Sequence, residues 1–528
     1  MPLQGNRDHS ISAWVVRATL VGVVLAVGSP LAVGVFKVVA GIVHEGWHES
    51  LTPRWALLGQ TLAWAAGVGV LATLLAWPAG WALGRRGWRL AGFVLVPMML
   101  PSYLCYAAYG LARAPGSWVG NTIERMAETG WPMAPIVAGR AIAVVGLALW
   151  AWPLAAVILA AHIRRIEPEV LESLTLDGAG VWRRLRERMS MCRMGLLASA
   201  AGVTVVMLGS AVPFHVGQVR TYAMVAWQGL NLELTGWAAW GSAWPLVVIA
   251  VVAGWWLGGR GADAAARGLV GPGVGEADRM RSGWFSGWVG GGVVWGLSVL
   301  LPLGLLAASV RRGSSYAEFW SVAGPSVARS AWMAVCVGAA VGWIALVVWY
   351  GMQAGGGARR GATLIVRALL VGALVPGILI GAGLAMVMGS LASWVGETDI
   401  GVFAAHVARF GCVGALGGCW LAGQEPRVLR EARVLDGGGS MLGWWMSSLP
   451  GNAGAVIGLC AAGGALSLHE LESSVMLQSP GVLSLAQTVL GWLHYARYEE
   501  LSAGGTTIIG IALVLAMIGA WGWGSRGR

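Results

Sequence analysis

Runs of apolar residues, each near twenty long and separated by short polar segments, recur along the whole chain. A membrane hydrocarbon core about 30 Å thick takes about twenty helical residues at about 1.5 Å each, so each run predicts a crossing helix. The pattern places them at 13–36, 55–83, 90–112, 136–161, 194–212 and 237–258, then at 284–309, 326–352, 366–390, 403–422, 452–468 and 503–523. The expected fold is an all-α integral membrane protein of about twelve helices. It divides into two pseudo-symmetric six-helix halves, 1–258 and 284–528, joined by a Gly-, Ala- and charge-rich linker at 259–283. The first run is too long for a signal-peptide core and lacks a small-x-small cleavage site, so it reads as a retained helix.

Composition agrees: 57% of the 528 residues are apolar and 11% are charged, outside the range of soluble domains. Many of the 82 glycines sit inside apolar runs, where small residues let helices approach closely. A net charge of +11 invites a nucleic-acid reading. The basic residues, however, cluster in every second loop, among them Arg85, Arg86, Arg164, Arg165, Arg183, Arg184, Arg359, Arg360, Arg427, Arg430 and Arg433. That is a positive-inside distribution, so the excess is topological. It predicts cytoplasmic termini and cytoplasmic loops at 162–193 and 423–450, and outer loops at 113–135 and 470–500.

The halves echo one another. Pro30-Leu31 late in the first helix recurs as Pro302-Leu303 in the seventh, and Leu100-Pro101 in the third recurs as Val375-Pro376 in the ninth. After the fourth helix, Glu167-Pro168 precedes Glu172, Asp177 and Gly178; after the tenth, Glu425-Pro426 precedes Glu431, Asp436 and Gly437. Each segment spells about ten helix-compatible residues, an Asp-Gly turn, where glycine tolerates positive φ, and a second helix. A bent element present twice on one face suits docking to a partner with two equivalent sites.

The second loop, with Glu431, Ala432, Gly437 and Leu449-Pro450, resembles the E-A-A-x-x-x-G…I-x-L-P coupling loop of ATP-binding-cassette import permeases, with Arg433 for the second Ala and Ser447 for the Ile. The first keeps Glu172 and Gly178 but has Ser173-Leu174 for the Ala pair and Ser190-Met191 for Leu-Pro. The second is thus expected to be the principal coupling element. Leu100-Pro101-Ser102-Tyr103-Leu104, Arg409-Phe410 and His469-Glu470-Leu471-Glu472 further resemble the fused ferric-iron permeases, whose K-E-L-P and D-F-G are replaced here by His469–Glu472 and Val212-Pro213-Phe214-His215. Fused thiamine permeases are a related alternative.

The resemblance implies a translocation subunit whose loops dock into two ATP-hydrolysing subunits, which bind ATP and Mg, while a periplasmic solute-binding protein delivers substrate. It also implies a pathway near Pro101, Tyr103, Arg409, His469 and Glu470. The residues independently show no G-x-x-x-x-G-K-[ST], and Lys37, the one lysine, lies in an apolar context, so no phosphate-cradling loop, cofactor or catalytic residue is expected here. His469-Glu470 does not extend to H-E-x-x-H because position 473 is Ser473, and the segment reads as a polar turn at the outer surface, with no metal site expected. Six cysteines without C-x-x-C indicate neither zinc nor disulfides. Arg409 and His406 share one helix face; a charge there is functional or paired unless it snorkels to the interface. The rival readings are a twelve-helix secondary transporter, which would carry intramembrane acids for ion coupling, and a membrane-embedded enzyme built around His494, Tyr495, Glu499 and Glu500.

Overall fold

The computed structural model describes residues 2–46, 51–86, 91–113, 116–216, 218–232, 237–266, 284–391, 398–425, 427–436, 440–478, 481, 483–495 and 497–524. Every regular element among them is helical. Nine helices are long and apolar enough to cross a membrane, or up to twelve if each of three bent pairs is one crossing. The chain is a multi-pass membrane protein.

The crossings follow the hydropathy runs, with informative differences. The first extends from Ala13 to His44 through a π-helical turn at Val24–Gly28, immediately ahead of Pro30. Proline removes one i→i−4 bond, and the wider turn absorbs the mismatch. The eighth helix begins at Ser314, not 326, and carries Pro325 inside it. At about 1.5 Å per residue its 41 residues outreach the hydrocarbon core by roughly twofold, so part of it stands in water. The sixth runs from Trp237 to Ala266, so residues 259–266 of the expected linker are helical; 267–283 lie outside the described residues.

Two crossings expected to be continuous are broken. The third consists of Ala91–Met99 and Ser102–Leu111, bent by 73°, and the ninth of Gly356–Leu374 and Gly377–Gly389, bent by 108°. The physical reason is the same in both. A residue before proline is driven from the α region, and Leu100 (ψ 147°) and Val375 (ψ 137°) are extended, ahead of Pro101 and Pro376. The fifth, Arg193–Leu208, meets the short helix Val181–Met191 at 64°.

Packing crosses the boundary at 258. The first and sixth helices share a hydrophobic core with the eighth, ninth and tenth through Val27, Trp240 and Ala250 against Leu369, Leu374 and Ala408. The third packs on the seventh and twelfth through Leu100, Leu306 and Ile509. Small residues set the closest approach. A Cβ at Gly254 in the sixth helix would lie 2.6 Å from the Val371 backbone nitrogen in the ninth. Gly254→Ala is therefore expected to lower stability by about 1–3 kcal/mol through forced separation of the helices. Gly261→Ala, with nothing within 4 Å of its added carbon, is the control that should not. Thermal unfolding of the purified variants checks the pair.

Candidate functional site

A helix broken inside a membrane exposes carbonyls that hydrocarbon cannot satisfy. At the third-helix break the Leu100 carbonyl accepts a hydrogen bond from Trp150 Nε1 of the fourth helix at 2.7 Å. At the ninth-helix break the Val375 carbonyl accepts one from the guanidinium of Arg409 in the tenth, at 3.0 Å. The same backbone problem is met once by a neutral donor and once by a charge.

That charge organises the site. Arg409 Nε lies 3.8 Å from Glu470 Oε1, and another guanidinium nitrogen lies 3.7 Å from Glu472 Oε2. Glu470 and Glu472 are 8% and 7% exposed, and Ser473 and Ser474 are wholly buried. The expected outer turn at His469–Glu472 is thus corrected: residues 470–474 fold into the protein and are not part of an exposed loop. Space for them comes from the second part of the ninth helix. A Cβ at Gly377 would sit 3.0 Å from Glu472 Cβ and 3.1 Å from the Arg409 guanidinium carbon, and one at Gly381 would collide with the Ser473 carbonyl. Arg409 and His406 face inward and do not snorkel; His406 is 3% exposed, and its Nδ1 pairs with Ser467 Oγ at 2.8 Å.

The carboxylates reach further. Glu470 Oε1 accepts the Ser473 N–H at 2.9 Å, closing its own turn. Glu472 Oε1 accepts the N–H groups of Ala211 and Val212 at 2.8 and 3.2 Å. Those donors open the short helix Val212–Val216, where unpaired N–H groups favour an anion. One side chain of the second half therefore grips the backbone of the first. Tyr103 is buried in a cluster with Val212, Leu468 and Leu471. Its hydroxyl, Glu472 Oε2, Ser473 Oγ and the Nε2 atoms of His406 and His469 are buried without hydrogen-bond partners.

Of the expected pathway residues, Tyr103, Arg409, His469 and Glu470 border this cluster, and Pro101 makes the equivalent break in the third helix. Glu472, Val375 and Val212 entered the sequence reading as motif or repeat positions and not as site residues, and Ala211 was not singled out. The available signal was two glutamates immediately after an apolar helix in a chain with an arginine in a neighbouring one. No group of three His, Cys, Asp or Glu among the described residues could hold a metal ion.

Each loop folds as a pair of short helices. The first is Pro168–Leu176 and Val181–Met191; the second is Arg427–Leu435 and Met441–Ser448. Helix termination is alike, with Asp177 N–H donating to Ser173 O at 2.8 Å and Asp436 N–H to Ala432 O at 2.9 Å. Gly178 has φ +66°, and Ala179 N–H returns to Leu174 O at 3.3 Å, the six-to-one bond of a Schellman cap. Gly437, expected to have positive φ, lies outside the described residues, as do the Glu172 side chain and Pro426. Glu431, Ala432 and Asp436 are exposed, Leu449 packs partly against the core, and Pro450 opens a short 3-10 turn to Asn452.

Arg433, a departure from the coupling-loop pattern, is an anchor. It pairs with Glu425 and Ser448, and donates at 3.1 Å to Gln353 Oε1 at the end of the eighth helix. Trp444 Nε1 donates to the same oxygen at 2.8 Å, and its ring packs edge-on to Trp349, 4.6 Å between centroids. The second loop is thereby fastened to the eighth and tenth helices.

No family model, curated protein or solved structure matches the chain. The functional reading rests on the buried cluster and the two bent elements.

Proposed function

We propose that the chain is the membrane-spanning permease subunit of an ATP-driven importer, with ATP and Mg bound by separate subunits docked on the two bent elements. The observation that carries this reading is the pair of elements itself. The fifth to tenth helical segments separate them, an even number if each crosses once, which supports both elements emerging on one face. Each ends its first helix on a leucine held in the open, Leu176 at 87% and Leu435 at 86% exposure. Val428, Leu442 and Met446 of the second element and Val181 and Trp182 of the first are exposed as well. Apolar side chains clustered on a polar-rimmed tip mark a protein contact. The basic residues around both elements support a cytoplasmic position for that face, in a bacterial inner membrane. A periplasmic binding protein then meets the opposite face, and the resemblance names ferric iron as substrate, or thiamine. The bent elements have the shape and exposed chemistry to pass a partner's closure to the crossings, through Arg433 and Gln353 in the second.

The purified chain is expected to show no ATP hydrolysis alone and to stimulate it when its nucleotide-binding subunit is added. Leu435→Glu should leave stability within about 0.5 kcal/mol, as surface changes do, while abolishing co-purification with that subunit. Normal binding by the variant would count against the reading.

A second reading is favoured by one specific observation. Buried acids were the feature expected of a secondary transporter, and Glu470 and Glu472 supply them. Substrate accumulation in proteoliposomes under a proton gradient, with no ATPase present, would select that reading.

A further inference from the structure

Around one guanidinium stand two carboxylates, all three side chains largely buried, so full ionisation leaves one uncompensated negative charge. An isolated charge in such surroundings costs several kcal/mol even after relaxation. The compensating positive charge has few possible carriers. A metal has no three-residue ligand group among the described residues. An imidazolium must donate from both ring nitrogens, yet Nε2 of His406 and of His469 is buried with no acceptor. A proton needs no cavity, and two carboxylates gathered on one arginine can share it.

We propose that Glu470 and Glu472 form a proton-binding site holding one exchangeable proton between them, and that its occupancy controls the grip of Glu472 on residues 211–212. When the proton leaves, both carboxylates are ionised, and Glu472 accepts the Ala211 and Val212 N–H groups as a full anion. When it returns to Glu472, the cluster with Arg409 is neutral and those bonds weaken, since charge-assisted hydrogen bonds are about twice as strong as neutral ones. The held segment follows the fifth helix and the holding segment follows the eleventh. Proton exchange at this point thus bears on a contact between the two halves, whichever energy source drives transport.

The groups around the pair are accounted for element by element. The tenth helix presents Arg409 and His406, the turn itself carries His469, and Tyr103 of the third helix packs in the apolar cluster that includes Leu471. The ninth presents Gly377 and Gly381, and no charge. The short helix Val212–Val216 carries His215, whose ring stacks on His494 at 6.0 Å between centroids, so its titration is a separate event to be controlled for.

The test is infrared difference spectroscopy on the purified full chain in lipid nanodiscs, with no ATPase, binding protein or substrate, so that its failure leaves the importer reading untouched. The wild type should show the carbonyl stretch of a buried carboxylic acid, lost on alkalinisation and shifted by 13C-glutamate. Glu472→Gln and Glu470→Gln keep an acceptor oxygen in the same place, and gel filtration checks that they fold. The pH-dependent band should vanish in the double variant and persist in His215→Gln and in His406→Gln. A wild type without the band between about pH 5 and 10, a span covering ordinary and strongly raised carboxyl values, would overturn the proposal. So would a band unchanged in the double variant.

Discussion

Arg409→Met is expected to cost about 3–5 kcal/mol, the range for removing one partner of a buried ion pair. The loss has two parts. The carboxylates of Glu470 and Glu472 lose the cation gathered between them, and the Val375 carbonyl at the ninth-helix break loses its donor. Apolar volume is largely kept, so the penalty is electrostatic. Glu470→Gln or Glu472→Gln introduced with Arg409→Met should therefore be less than additive, recovering part of the stability by about 0.5–3 kcal/mol in a double-mutant cycle. Thermal unfolding followed by tryptophan fluorescence measures all four corners. Simple additivity would mean that the charges do not interact.

Arg433→Ala is expected to produce the second large effect, and in a different place. Its guanidinium is nearly buried and ties the Glu425 carboxylate, the Ser448 hydroxyl and the Gln353 amide oxygen together beneath the second bent element. Loss of the cation leaves Glu425 as an unpaired carboxylate, again about 3–5 kcal/mol in a buried setting, somewhat less here because Glu425 is partly exposed. The damage should be local. The crossings should remain folded, while the Arg427–Leu435 helix becomes more open to protease and, on the proposed importer function, stimulation of a partner's hydrolysis falls. Arg433→Lys should rescue poorly, since an ammonium cannot span three acceptors with a planar fork. Full rescue by lysine would show that charge alone matters. In the first element the sensitive position is Gly178, whose positive φ makes Gly178→Val cost about 1–3 kcal/mol of backbone strain. For transport, Gly437→Val is expected to be the more damaging of the two, because the second loop keeps more of the coupling motif.

The order of these elements was legible because hydropathy is a local property. Twenty apolar residues in a row have one favourable environment, whatever they pack against, and the crossings accordingly appear where the runs are, with ends shifted at Pro325 and beyond Gly258. The bent loops were legible for a similar reason: an Asp-Gly between helix-compatible stretches acts within a few residues. The breaks at Pro101 and Pro376 were marked by proline, but proline inside the fourth, sixth and eighth helices does not interrupt them. At both breaks the freed carbonyl finds a donor on a neighbouring helix, Trp150 or Arg409, and that partner is delivered only by packing.

The buried ion cluster belongs wholly to tertiary structure. Read in sequence, His469–Glu472 is four residues at the end of an apolar run, with two acids and a histidine, and hydration at the membrane surface is its cheapest local environment. Burial becomes tolerable only when Arg409, sixty residues earlier, the backbone donors at 211–212 and the two glycines of the ninth helix converge on it. The same holds for Arg433, an irregularity in a motif until the eighth helix brings Gln353 beneath it. Local chemistry set which segments enter the membrane and where they bend. The partners that long-range packing delivers decided which charges stay inside.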